Sequence, residues 1–457
     1  MMDTASVKKQ KIRKPLSASH VMALGFLAII AIGALLLMLP ISSATGQITS
    51  PLTAIFTAVS ATCVTGLVVV ESGIYWSLFG KIVIITLIQI GGLGFMTMAV
   101  LLSVIVRRRL SPRDRMLVAA SYGINDYGGV NVLVKRILLG TLAIEGAGAI
   151  LLSLRFIPEF GFAKGIGYSA FHSISAFCNA GFDILGNGNS LGAYADDPLI
   201  GITIMLLILL GGIGFPVWNE FIGRKRSQKF SVYTKFILIL TAIYVVGGAI
   251  VVALLEWNNP ATFGGMSFGE KILNSFFQSV TWRTAGFTAV DNAALNEGTK
   301  LFGLFMMFSG GASASTAGGV KIATIGVIFL AAYSVALGKN EIHFMRRRIP
   351  LEAMLRALSL VVIQLILTVT ATIICTVACT NIGAEGIDIL YEVVSAGATV
   401  GLTAGLTPVL PPVALTVLIF MMYFGRVGIL TVTFSLLGRA GKTTSSLSYP
   451  DANILIG

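Results

Sequence analysis

Four glycines, Gly66, Gly181, Gly286 and Gly401, each close a short amphipathic stretch and stand before a bulky apolar residue. The stretches read SATCVTGL (60–67), SAFCNAGF (175–182), VTWRTAGF (280–287) and SAGATVGL (395–402). Their glycines lie 115, 105 and 115 residues apart, and an aromatic sits ten residues before each: Phe56, Phe171, Phe276 and Tyr391. Arg283 and Asp183 are the only charged residues in or beside these endings, so any chemistry here belongs to the backbone. Glycine accepts positive φ, which lets successive carbonyls face one side. Carbonyls held in a ring replace the hydration shell of a dehydrated cation. Arg283 is expected to face away from such a ring, because a cation on the axis would repel ions.

The elements that must hold these endings follow from composition. With 55% hydrophobic and 11% charged residues and a strongly positive mean hydropathy, the chain reads as a polytopic membrane protein. Apolar runs long enough to span are 21–39, 82–106, 137–154, 200–217, 236–255, 301–337 with an interruption, 358–378 and 413–437. Lys8, Lys9, Lys11, Arg13 and Lys14 precede the first run, as in a signal peptide. That run is nevertheless long for a signal core and lacks a small-residue cleavage site.

Eight spans with both termini in the cytoplasm place most basic residues inside, among them Arg107, Arg108, Arg109, Arg113, Arg115, Lys135, Arg136, Arg224, Lys225, Arg226, Arg346, Arg347, Arg348, Arg439 and Lys442. This satisfies the excess of Lys and Arg on cytoplasmic loops. Six of the 32 basic residues fall outside: Lys81, Arg155, Lys164, Lys271, Arg283 and Lys300. They face acids such as Glu71, Asp183, Asp196, Asp197, Glu256, Asp291 and Glu392, so an acidic, cation-concentrating mouth is expected. The net charge of +12 is an orientation signal spread over short loops, which argues against nucleic-acid binding. Cys63, Cys178, Cys375 and Cys379 read as packing residues without metal-ligand spacing.

Each unit runs long span, short segment, glycine ending, second span. The short segments, about 51–61, 166–177, 268–282 and 387–397, cannot cross roughly 30 Å of hydrocarbon as helices. They must enter the membrane and turn back, which is tolerated only where protein or a watery cavity shields the backbone. Four such loops converging on one axis shield one another, and their helix carboxyl ends favour a cation there. Small-residue helix packing also enriches Gly, Ala, Ser and Thr; recurrence at one register between paired spans favours the pore reading.

This arrangement resembles the Trk/Ktr/HKT potassium transporter superfamily over essentially the whole chain. The absence of an extra amino-terminal pair of spans and the tail residues Tyr449, Pro450, Asp451, Ile454, Leu455, Ile456 and Gly457 make it most similar to a KtrB-like membrane subunit. The resemblance implies an all-α polytopic membrane protein with eight transmembrane helices plus four re-entrant pore loops. Four parallel span, pore loop, span repeats then surround a pseudo-fourfold pore. The expected divisions are a cytoplasmic segment 1–19, repeats at 20–110, 111–228, 229–345 and 346–440, and a cytoplasmic tail 441–457. It further implies a selectivity filter at Gly66, Gly181, Gly286 and Gly401. Val64, Thr65, Asn179, Ala180, Thr284, Ala285, Thr399 and Val400 would supply further carbonyls. Glycine at all four positions goes, in that family, with selectivity for K+ over Na+. The implied function is potassium uptake through a gated, channel-like pore in a bacterial cell membrane, with Na+ as a stimulator. No cofactor is expected in the chain itself. The implied partners are a second copy, the lipid bilayer and a cytosolic RCK-type, KtrA-like ring that carries the nucleotide, ATP/ADP or NAD(H).

The second spans differ at one depth: GGLGF (91–95) and GGIGF (211–215), then GGASASTAGGVK (310–321), then GRVG (425–428). Gly310, Gly311, Ala312, Ser313, Ala314, Ser315, Thr316, Ala317, Gly318 and Gly319 hold a helix poorly, since glycine costs about 1 kcal/mol each and serine and threonine compete for backbone bonds. A loop is expected at mid-membrane, the alternative being a kink or close helix crossing. The resemblance makes it a gate beneath the filter. Arg426, costly at mid-span, is expected to hold it through loop carbonyls or Ser313, Ser315 and Thr316, rather than to pair with an acid. Lys321 is expected to snorkel to the inner interface. His20, His172 and His343 stand alone, and no enzyme motif is present. The competing class is a coupled Na+/K+ symporter with alternating access, whose mark would be inverted repeats. These four run in the same order.

Overall fold

The computed structural model describes residues 18–94, 130–186, 190–223, 229–339 and 341–428. The chain is a helical, polytopic membrane protein built as four successive stretches. The first comprises α1 (Ala18–Met38), α2 (Pro51–Thr62) and α3 (Leu78–Leu93). The second comprises α4 (Val130–Phe160), α5 (Phe162–Phe177), α6 (Pro198–Gly212) and α7 (Phe215–Gly223). In the third, α8 (Val232–Glu256) and α9 (Phe268–Thr281) lead into α10 (Glu297–Phe308) and α11 (Ile322–Ala336). The fourth holds α12 (Leu351–Ala378), α13 (Gly386–Ala398) and α14 (Pro412–Val427).

The short helices start where their sequences supply caps. Ser50 Oγ accepts from Thr53 N with Pro51 at the first helical position, and Ser267 and Glu270 form a capping box at the head of α9. Such caps satisfy orphan amide donors that hydrocarbon cannot. The long first helix of each stretch packs on its own short helix: α1 on α2, α4 on α5, α8 on α9, α12 on α13. The second helix packs on the short helix of the next stretch: α3 on α5, α6 on α9, α10 on α13. The series closes when α14 packs on α2. Three of the four recurring aromatics, Phe56, Phe171 and Tyr391, are buried at these seams, while Phe276 is half-buried.

Among the described residues, four helices are long and apolar enough to cross a membrane: His20–Met38, Val134–Phe160, Val232–Glu256 and Leu351–Ala378. A fifth crossing exists if α6 and α7, bent by 92°, form one span. That bend corrects the expected continuous span 200–217. GGIG ends α6, Gly214 takes φ +92°, and the chain turns sharply. Gly94 and Gly428 cap α3 and α14 with φ +81° and +89°. The helix therefore stops at the same motif in three stretches, and in the third it stops at Ser309. The expected span ends 95–106 and 429–437 lie outside the described residues, as do Lys8, Lys9, Lys11, Arg13 and Lys14, the basic residues at 107–115, 224–226 and 439–442, and the tail 441–457. Of the expected inner basic loops, 343–348 is a tight hairpin of β1 (His343–Phe344) and β2 (Arg347–Arg348).

Two acids expected at the outer mouth are instead interior caps. Glu392 is buried and accepts from the Thr403 and Thr407 hydroxyls and from the amides of Ala404 and Leu406. Glu256, equally buried, accepts from Asn259 Nδ2, Thr262 Oγ1 and Asn296 N. A buried carboxylate is tolerated when donors surround it; Glu392 holds the chain that follows α13, and Glu256 ties the connection between α8 and α9 to the chain that follows α9.

Candidate functional site

The four short helices end three to five residues before each glycine, and the backbone then makes the same turn four times. Val64, Asn179, Thr284 and Thr399 adopt φ of 58°, 59°, 63° and 53°. Two residues on, Gly66, Gly181, Gly286 and Gly401 adopt 101°, 67°, 75° and 90°. The intervening amides fold back on the helix ends: Thr65 N to Ser60 O, Ala180 N to Ser175 O and Val400 N to Ser395 O at 2.7–2.8 Å, with Ala285 N to Thr281 O at 3.0 Å. Side-chain oxygens lock the turns. Ser60 and Ser395 accept from the Gly66 and Gly401 amides, while Ser175 and Thr281 donate to the carbonyls of Phe182 and Phe287.

The four turns meet. A β-carbon placed on Gly66 would lie 2.5 Å from the Ala180 carbonyl oxygen, on Gly181 2.7 Å from that of Ala285, and on Gly286 2.7 Å from that of Val400. On Gly401 it would overlap the carbonyl of Thr65. Each glycine thus abuts the carbonyl before the next glycine, in cyclic order, and the circle closes. Glycine is required twice over, by positive φ and by this approach. All twelve residues expected at the filter are brought together.

A second ring of glycines packs against the turns of the first. β-Carbons on Gly91, Gly211, Gly310 and Gly425 would lie 3.0 Å from Val64 Cγ2, 2.9 Å from Asn179 Oδ1, 3.3 Å from Thr284 Cγ2 and 2.9 Å from Thr399 Cγ2. The first glycine of the second motif therefore makes room for the side chain two residues before the filter glycine. The hydroxyls of Thr65, Thr284 and Thr399 are buried and take no hydrogen-bond partner among the described residues.

Between α10 and α11 residues 309–321 are non-helical, tied at their ends by a Ser309 and Val320 bridge. The loop is fastened to its neighbours by main chain: Ala312 N to Gly212 O at 2.9 Å, Phe215 N to Ala314 O at 2.9 Å and Thr316 N to Gly211 O at 3.3 Å. Thr316 is the node. Its hydroxyl bonds Phe177 O and Asn179 Oδ1, both at 3.1 Å, and its carbonyl accepts from Arg426 Nη1. Arg426 Nη2 also reaches the carbonyls of Gly91 and Gly92. One guanidinium thus joins the first, third and fourth stretches, and the threonine adds the second. Gly318 and Gly319 fit against Thr399 and the carbonyl of Ala398, leaving no room for side chains.

Arg283 is buried and turns outward to Thr241 Oγ1 on α8, while its carbonyl accepts from Asn179 Nδ2 at 3.3 Å. Lys321 does not snorkel inward: its ammonium folds back to the carbonyls of Ala317 and Gly318, where it caps the loop's last turn. Asn179 and Thr316 carry more of this geometry than sequence reading assigned them. The available signal was that Asn179 alone among the four equivalent residues carries an amide, whose acceptor oxygen and donor nitrogen can engage two different neighbours at once. The four cysteines are buried free thiols, Cys178 against Gly92. Among the described residues no cluster of His, Cys, Asp or Glu could hold a metal ion.

Comparison with known proteins gives this geometry its relatives. The model of a cation transport protein family, TrkH, matches residues 8–440. The chain is 40% identical to the potassium/sodium uptake protein NtpJ of Enterococcus hirae, over 99% of this chain and all of that one. It is also 40% identical to the Ktr system potassium uptake protein B of Bacillus subtilis, with the same coverage. The crystal structure of the potassium transporter TrkH from Vibrio parahaemolyticus superposes with a TM-score of 0.72, covering 94% of this chain and 86% of that one at 19% identity, which is a likeness of fold. These relatives are cation transporters and not enzymes. The chain belongs to the TrkH family of cation transport proteins.

Proposed function

We propose that the chain takes up potassium through the axis ringed by Gly66, Gly181, Gly286 and Gly401, as the ion-translocating subunit of a Ktr-type system. The observation that carries this reading is the cyclic closure of the four turns, each glycine on the next turn's carbonyl. Backbone oxygens at such a ring suit a dehydrated monovalent cation, and the names of the most similar relatives describe potassium and sodium uptake. In this reading the protein has eight spans and four re-entrant loops, in parallel repeats at 20–110, 111–228, 229–345 and 346–440. Both termini are cytoplasmic in a bacterial cell membrane. Residues 310–319 and Arg426 form the gate, because a loop held beneath the ring by one arginine and one threonine lies across the path. The protein works as a homodimer under a cytosolic RCK-type ring that binds ATP/ADP or NAD(H), and Na+ stimulates it. That gating by a ring on the inner face fits a loop fastened mainly by main-chain bonds, which a small shift of α10 or α11 would break together.

The test is ion flux from purified protein in liposomes, comparing potassium with sodium gradients in wild type and Gly66→Ser. Faster potassium flux that loses its preference in the variant supports the reading. Equal preference in both removes the filter assignment.

A further inference from the structure

Lys81, in the first turn of α3, and Lys164, in the first turn of α5, share a crevice with Ile184, three residues after Gly181. They line one crevice of about 480 Å3 between these helices, whose walls are otherwise apolar, including Ile82, Ile85, Phe171 and Ile174. The two side chains are close enough for the charge of Lys164 to bear on Lys81. Among the described residues neither ammonium lies within ion-pair distance of a carboxylate. Lys81 makes one bond, 2.6 Å to the carbonyl of Gly73. Two like charges at the edge of an apolar groove, in a protein that sits in a membrane, are an unfavourable pair unless an anion joins them.

We propose that this crevice binds one anionic phospholipid, its phosphate between Lys81 and Lys164 and an acyl chain along the apolar wall. The volume lies within the range of ordinary ligand sites, about 300–1,000 Å3. A phosphate oxygen accepts charge-assisted hydrogen bonds from both ammonium groups, and their methylene stems can lie along the wall while their heads stay at the interface. The wall argues for a lipid over free phosphate: Leu78 and Ile82 are 77% and 53% exposed, and only a hydrocarbon chain covers such a surface beside a phosphate. The site has a route to the ion path. Lys81 holds Gly73, and a β-carbon on Gly73 would sit 2.6 Å from Gly186 N and 2.8 Å from the Ile184 carbonyl oxygen. Ile184 also lines the crevice. A bound phosphate therefore braces the loops that follow Gly66 and Gly181.

The experiment is native mass spectrometry of the purified full chain with phosphatidylglycerol or phosphatidylcholine of matched acyl chains, together with thermal melting. Wild type should retain one phosphatidylglycerol per chain in preference to phosphatidylcholine and melt higher with it. The double variant Lys81→Gln, Lys164→Gln should bind phosphatidylglycerol at least about tenfold more weakly, the scale of lost charge-assisted bonds. Ile85→Trp keeps both charges but fills the groove, and should lose the lipid as well. Equal retention of phosphatidylglycerol by wild type and both variants overturns the site. Stabilisation by millimolar inorganic phosphate alone, or its displacement of the lipid, shows an anion site and overturns the lipid. Loss of the dimer in Ile85→Trp with lipid retention unchanged assigns the groove to a second copy, and also overturns it.

Discussion

At Gly401 the next atom beyond the Cα is the carbonyl of Thr65, and at Gly66 it is that of Ala180. Alanine at either place meets both a left-handed backbone, costing about 1–3 kcal/mol, and a neighbouring loop that must move. Gly401→Ala, with the closest approach, should therefore damage selectivity for potassium over sodium more than Gly181→Ala. Competitive uptake of the two ions in cells lacking other uptake systems measures it; equal loss at both positions would sever selectivity from this packing. Beside the ring, the half-buried Asp183 carboxyl is pushed up to about 6, first by burial and then by the charge of Glu71. It carries its charge above that pH and loses it below, so potassium uptake at limiting concentration should fall as external pH drops through about 6. Asp183→Asn should flatten that profile at the lower rate, whereas an unchanged profile would assign the dependence elsewhere. The glycines were legible because one residue type recurs. The left-handed residues before them were not, because Val64, Asn179, Thr284 and Thr399 share no side-chain property that announces positive φ, and β-branched residues rarely adopt it.

Among the elements, the non-helical passage between α10 and α11 was legible from its run of ten small residues. The stops at Gly94, Gly214 and Gly428 were not, because apolar residues continue past each one and hydropathy averages over a turn. Repeats one, two and four thus share a helix end, and what distinguishes the fourth is Arg426 in the place of a glycine. The latch has separable parts. Thr316→Val removes the hydroxyl bonds to Phe177 and Asn179 but leaves the carbonyl for Arg426. Arg426→Gln releases three carbonyls at once. Hydrogen bonds from a charged donor contribute about 1.5–3 kcal/mol each and neutral ones about 1, so the arginine variant should raise basal flux by about tenfold or more and the threonine variant by several-fold. Flux assays without the regulatory partner decide between these. Lower flux in folded Arg426→Gln protein, judged by unchanged melting, would make the arginine part of the conducting path's scaffold and not its bar.

Over the whole molecule, the order of contacts bears on how ions cross. The second helix of every stretch packs on the short helix of the next, and α14 closes on α2. Carbonyl contacts at the glycines follow the same cycle. Alternating access needs one half to rock against the other around a fixed site. Here any line dividing the four stretches in two cuts two seams of each ring, and would open the glycine turns themselves. The loop at 309–321 touches the turns through the side chains of Asn179, Thr284 and Thr399, and can instead move while the contacts between each glycine and the next turn's carbonyl stay closed. Gated permeation is therefore the expected mode, with flux set by the potassium gradient and the membrane potential. In liposomes holding potassium inside and none outside, efflux should proceed without sodium on either side and should follow an imposed potential in sign. Added sodium should change the rate without moving in fixed ratio with potassium. If potassium moves only when sodium moves with it, in a constant proportion, the rings do come apart during transport and the coupled mechanism is the right one.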